Sequence, residues 1–188
     1  MEKRFRVATA IAVLFHTIGL CGMLFYDKAL LARATPFNLL LMFALLLYTQ
    51  QRPHKHFIIL ILVCFATGFT VEMLGTSTGW LFGDYAYGPS LGFSIQEVPL
   101  IIGVNWFIII FSCGTSINMV LTRIVRRITP DDIPKPTLQA MSVIVDGATL
   151  AVLFDWLMEP VAVKLDYWKW LGSGDIPLYN YFCWFVVS

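Results

Sequence analysis

The chain has 188 residues, of which 58% are hydrophobic and only 13% charged, and its mean hydropathy is +0.74. Soluble domains carry about a quarter charged residues, so this composition excludes both an ordinary soluble enzyme and a disordered chain. A formal net charge of +1 leaves no electrostatic footprint for nucleic acid, and the length suits a single domain over residues 1–188.

A membrane-spanning helix needs about 20 apolar residues to cross roughly 30 Å of hydrocarbon. Residues 7–25 meet that length behind the basic start Lys3, Arg4 and Arg6. The arrangement imitates a signal peptide, but no small-residue cleavage site follows and further spans do, so it reads as a retained first helix. Residues 36–48 form a shorter second run that reaches full length if it begins near Leu30. Residues 57–74, 98–121 and 137–158 give three more spans, and a sixth starts near Tyr179 with the sequence ending partway into it. The expected fold class is an all-α polytopic bundle of about six spans.

Lysine and arginine orient the bundle. One set of ends carries Lys3, Arg4, Arg6, Arg52, Lys55, Arg123, Arg126, Arg127 and Lys135, and the other carries Lys28, Arg33, Lys164 and Lys169. Nine against four places the amino terminus in the cytoplasm, and the expected location is the cell membrane. The cysteines (Cys21, Cys64, Cys113 and Cys183) form no CxxC pair, which argues against a disulfide framework or a zinc site. No metal centre is expected. His16 reads as a helix–helix contact, and His54 and His56 as solvated loop residues.

The acids divide unevenly. Glu2, Asp131 and Asp132 fall on the cytoplasmic side, whereas Asp27, Glu72, Asp84, Glu97, Asp155, Glu159, Asp166 and Asp175 fall toward the other. Asp27, Asp166 and Asp175 read as ordinary loop charge. Glu72, Asp146, Asp155 and Glu159 sit within or at the ends of apolar helices, where ionisable groups are costly and mark function. Asp155 and Glu159, four apart, share a helix face. Two carboxylates in a poorly solvated site do not both ionise cheaply, which makes one an acid and the other a base. Asp146, nine residues before Asp155, projects to the opposite side of an ideal helix. The competing reading makes these acids interfacial helix-end residues or partners of Lys164 and Lys169.

Residues 75–98 contain five glycines (Gly75, Gly79, Gly83, Gly88 and Gly92) interleaved with Trp80, Phe82, Tyr85, Tyr87 and Phe93. Glycine breaks any helix there, and the segment reads as a capping or re-entrant loop between spans three and four. The stretch after Pro160 reads as an interfacial segment leading into the last helix, with Asn180 a hydrogen-bonding group where that helix begins.

These residues carry a family resemblance. Glu72, Gly75, Thr78 and Gly79, with Phe82-Gly83-Asp84-Tyr85-Ala86-Tyr87, resemble the E-x-x-G-x-x-T-G-x-x-F-G-x-Y-x-Y pattern of membrane-embedded carotenoid biosynthesis proteins, which include hydratases of γ-carotene and bisanhydrobacterioruberin. Val98-Pro99 with Trp106, then Asp155 to Pro160 against a D-x-x-x-D-P motif, then Trp168, Trp170, Asn180 and Trp184 continue it in order over about residues 72–187. Glu159 stands where the family usually has Asp, Leu81 where Pro is common, and Cys183 where Gly is common.

The resemblance implies cofactor-free addition of water to the terminal C1=C2 bond of an acyclic carotenoid, a lipophilic substrate met in the bilayer. A carboxylic acid protonates C2, aromatic faces stabilise the tertiary cation at C1, and a carboxylate deprotonates the attacking water. Asp155 and Glu159 take these roles in either order, with Glu72 and Asp146 supporting. Phe82, Tyr85, Tyr87, Trp106, Trp168 and Asn180 line the end-group pocket. An end-group cyclase begins with the same protonation, and a transporter or assembly component is the alternative outside enzymes, although no inverted repeat is visible.

Overall fold

Five apolar runs become helices long and apolar enough to cross a membrane, so the chain is a multi-pass membrane protein. In a computed structural model, which describes residues 2–50, 53–128, 136–172 and 174–188, these are α1 (Glu2–Phe25), α2 (Lys28–Thr49), α3 (Lys55–Thr78), α4 (Ile101–Ile128) and α5 (Pro136–Lys164). A sixth helix, α6 (Leu178–Val187), has 10 residues, about 15 Å at 1.5 Å per residue. The architecture is the expected all-α bundle. Arg52, Asp131, Asp132 and Lys135, which entered the charge reading, lie outside the described residues.

Helix ends account for most differences from the expected boundaries. Asp27 is no idle loop charge: its carboxylate accepts from Leu30 N at 3.0 Å and starts α2 at Lys28, an arrangement that satisfies an otherwise orphaned amide. The second span therefore reaches full length and runs through Pro36. His54 caps α3 in the same way, with Nδ1 accepting from Phe57 N at 3.2 Å. His16 is satisfied within its own helix, donating from Nδ1 to the Ala12 carbonyl at 2.8 Å, rather than against a neighbour. Gly79 ends α3 at φ 67 and donates to the Gly75 carbonyl, a left-handed position that glycine occupies without penalty. The helix α5 continues through Pro160 to Lys164, beyond the expected end at Met158.

The bundle packs α3 on α4, α4 on α5, α2 on both α1 and α4, and α6 on α5. Small residues set the closest approaches, as in other membrane helix pairs. A Cβ on Gly147 of α5 would lie 3.6 Å from the Gly114 Cα of α4. Gly68 of α3 leaves the room that the Trp106 side chain of α4 fills.

The segment between α3 and α4 is partly ordered as strands. It contains β1 (Tyr85–Tyr87), a 3-10 turn (Pro89–Leu91) and a hairpin of β2 (Ser94–Ile95) with β3 (Val98–Pro99). Gln96 and Glu97, at φ 48 and 66, form the two-residue hairpin turn that needs positive φ at both positions. The stretch after Pro160 departs from expectation as well. It folds back as β4 (Trp168–Trp170), antiparallel to β1, pairing Tyr85 with Trp170, Ala86 with Lys169 and Tyr87 with Trp168, a pairing the sequence reading did not include.

The α4–α5 contact gives the first prediction. Gly147→Leu should destabilise the protein by about 1–3 kcal/mol through overpacking. Gly19→Leu, with nothing within 4 Å of its Cβ position, should leave stability unchanged. Thermal unfolding of both variants in the same detergent decides the comparison.

Candidate active site

Residues two apart in a strand project to the same face. The register of β1 on β4 therefore collects Tyr85, Tyr87, Trp168 and Trp170 on one side of the ribbon and leaves Ala86 and Lys169 on the other. The four aromatic residues point their polar atoms at two carboxylates. Glu72 Oε2 accepts from Tyr85 Oη at 2.5 Å and from Tyr87 Oη at 2.7 Å. Glu159 Oε2 accepts from Trp168 Nε1 and Trp170 Nε1, both at 3.0 Å.

The helices complete these contacts. Trp106 Nε1 of α4 donates to Glu72 Oε1 at 3.0 Å, so Glu72 holds three donors. Gly75 lies one turn after Glu72, and a Cβ there would stand 2.8 Å from the Tyr85 hydroxyl. The E-x-x-G spacing thus has a steric reason: the glycine leaves the phenol its path to the carboxylate. Asp155 Oδ2 accepts from Asn180 Nδ2 of α6 at 2.7 Å, whereas Asp155 Oδ1 is buried with no partner.

All three acids are enclosed. Glu72 is 6% exposed, Asp155 1%, Glu159 2% and their partner Asn180 1%, which is incompatible with solvated helix-end residues. Neither Lys164 nor Lys169 pairs with them; the ion pair seen among the described residues joins Arg6 to Glu2. Burial pushes the Tyr85 phenol far up, and the adjacent Glu72 carboxylate adds to the rise; Tyr87 is raised by the same causes in the same order. Both phenols stay protonated and donate to Glu72.

The three carboxylates face a cavity of about 30 Å³, enough for a water or two. Its walls include Phe82, Trp106 and Trp184, the two indoles stacked at 4.3 Å between centroids. Phe82 is held at φ 65, a backbone region unusual for a residue with a Cβ, and packs within 6.4 Å of both indoles. Such a site offers acids, bases and aromatic faces around a small recess.

Glu72, Asp155, Glu159, Phe82, Tyr85, Tyr87, Trp106, Trp168 and Asn180 all line this cavity. Asp146 does not. It is exposed on α5, and the nine-residue offset from Asp155 turns it to the far side of the helix, so the expectation that it belongs to the buried set is corrected. Sequence reasoning missed Ile102, Asn105, Met158, Trp170 and Trp184 as lining residues. For Trp170 a signal was present, since Trp168-Lys169-Trp170 repeats the alternation of Tyr85-Ala86-Tyr87. Among the described residues no cluster of three or more His, Cys, Asp or Glu has metal-binding geometry.

The profile of a family described as carotenoid biosynthesis protein matches residues 34–188. No curated protein and no solved structure matches the chain.

If the ribbon's hydroxyls satisfy Glu72, Tyr87→Phe should lower stability by about 1–3 kcal/mol, the cost of depriving a buried acceptor of its donor. Lys169→Gln, on the ribbon's other and exposed face, should stay within about 0.5 kcal/mol. Equal melting temperatures for the two variants would refute the assignment.

Proposed function

Because this chain belongs to the carotenoid biosynthesis protein family, with a role in carotenoid biosynthesis, we propose that it hydrates the terminal C1=C2 bond of an acyclic carotenoid to a tertiary alcohol. The observation that carries the reading is the convergence of three buried carboxylates on a water-sized cavity walled by aromatic faces. A hydratase needs room for water beside the reacting carbon, whereas a cyclase must keep water out.

Asp155 is the proton donor in this scheme. Asn180 occupies one of its oxygens and no protein group meets the other, which suits a hydroxyl waiting for an alkene. The Asp155 O–H bond breaks as the C2–H bond forms from the π electrons, leaving a tertiary cation at C1. The faces of Trp106, Trp184 and Phe82 and the carboxylate of Glu72 stabilise that cation. Glu159 has both indoles on Oε2, so Oε1 is the oxygen that directs a water to C1. The water oxygen bonds to C1 and its proton passes to Glu159. Transfer of that proton to Asp155 through pocket water restores the starting state with one water consumed. Glu72, saturated by three donors, is a positioning and charge-stabilising group. The chemistry requires no cofactor. With the amino terminus in the cytoplasm, the site stands toward the outer face of the cell membrane.

Expression in a bacterium that accumulates lycopene or γ-carotene should yield pigment heavier by one water, and isolated membranes given preformed unlabelled pigment in D2O should yield product with one deuterium at C2. Asp155→Asn and Glu159→Gln should each reduce product formation by about 10²–10⁴-fold, the usual contribution of a positioned acid or base. Product of unchanged mass with a ring chromophore would assign cyclisation instead. Unaltered pigment with the protein present in the membrane would overturn both.

A further inference from the structure

The cavity beside the carboxylates has room for a water or two and not for a polyene, so the body of a long substrate must lie elsewhere. One candidate space borders the site. A groove of about 720 Å³ runs between α1, α2 and α4, and Asn105 lines both this groove and the carboxylate cavity. Phe154, adjacent in sequence to Asp155, closes the groove on the α5 side. Along α4 the lining residues run from 105 to 115, roughly 15 Å of helix. The walls are largely apolar, with Ala8, Leu39, Met42, Leu46 and Ile109 among them.

We infer that this groove is the binding channel for the polyene chain of the substrate, which enters the carboxylate cavity past Asn105. The inference rests on the carotenoid reading above and adds where the substrate lies and what measures its length. A rigid apolar rod fits a trough of this shape at small entropic cost, because a conjugated chain has few torsions to freeze. A second groove of about 640 Å³, beside Gly114, Ala140 and Gly147, shares no lining residue with the site; Phe111 and Thr115 border both grooves, so Ala140, which lines only the second, serves as the internal control. The channel also uses residues 5–16 of α1, which precede the family match at residue 34. The wall supplied by α1 therefore lies outside the segment that carries the family's chemistry, and it is where selectivity for chain length would reside.

The test uses the full chain purified from lycopene-accumulating cells, with pigment retained per protein read by polyene absorbance and folding checked by thermal unfolding. Wild type and the catalytically disabled Asp155→Asn should retain pigment equally, within about twofold. Ala12→Trp and Ser112→Trp, on two different helices of the channel, should each retain at least tenfold less at unchanged melting temperature. Ala140→Trp, in the control groove, should match wild type. Pigment retained by both channel variants, lost on Ala140→Trp instead, or absent from wild type overturns the channel. Pigment held by wild type in a channel-dependent way, but never gaining water, leaves the channel standing and removes the hydration reading alone.

Discussion

A carboxylate taken out of water costs several kcal/mol unless donors replace its hydration, and the bundle buries two glutamates that must be supplied in this way. Five donors do so: Tyr85, Tyr87 and Trp106 on Glu72, and Trp168 and Trp170 on Glu159. Four of those bonds tie the ribbon to α3 and α5, and the fifth ties α4 to α3. Each side of the arrangement depends on the other. Two strands of three residues are too little to persist alone, and two carboxylates at the ends of apolar helices are too costly to bury alone. Their mutual satisfaction fixes how the lid sits on the bundle.

The acid that stands apart is Asp155. It takes one donor where Glu72 takes three, and one of its oxygens is left without any. A half-satisfied group inside an otherwise satisfied polar network calls for an explanation, and the proposed hydration gives one, with the alkene as the missing partner. The surrounding glycines serve the same end by subtraction. Gly68 admits the Trp106 side chain and Gly75 admits the Tyr85 hydroxyl, so both donors to Glu72 arrive through space that a side chain would occupy.

The spans were legible because hydropathy and length suffice to specify a helix in lipid. The acids were legible because a carboxylate inside an apolar run has few innocent explanations, and Glu72, Asp155 and Glu159 do meet. Asp146 met the same criterion and did not join them. Depth along a helix is readable from the sequence, but the neighbour a face meets depends on packing between helices. The ribbon was hidden for a related reason. Its strands are separated by about eighty residues and are only three residues long, so no local periodicity announces them, and the second strand was read as an interfacial segment. The alternation of aromatic with non-aromatic residues in both pieces was the available clue, and it needed the partner strand to acquire meaning. Asn105 carried no signal beyond being a polar residue in an apolar run.

Strand register has a further consequence for charge. In the observed pairing Lys169 lies between two indoles in sequence yet on the opposite face of the ribbon from them. A one-residue slip in β4 would exchange those faces, turning an ammonium toward Glu159 in place of two neutral N–H groups. The carboxylate would then be held in a salt bridge, its basicity spent on a permanent counter-ion. Neutral donors give Glu159 dipoles without a counter-ion, which in the proposed mechanism leaves the carboxylate free to face a cation forming nearby. The ribbon's alternation thus acts as an insulator: it admits hydrogen bonds to the cavity and keeps fixed cations out.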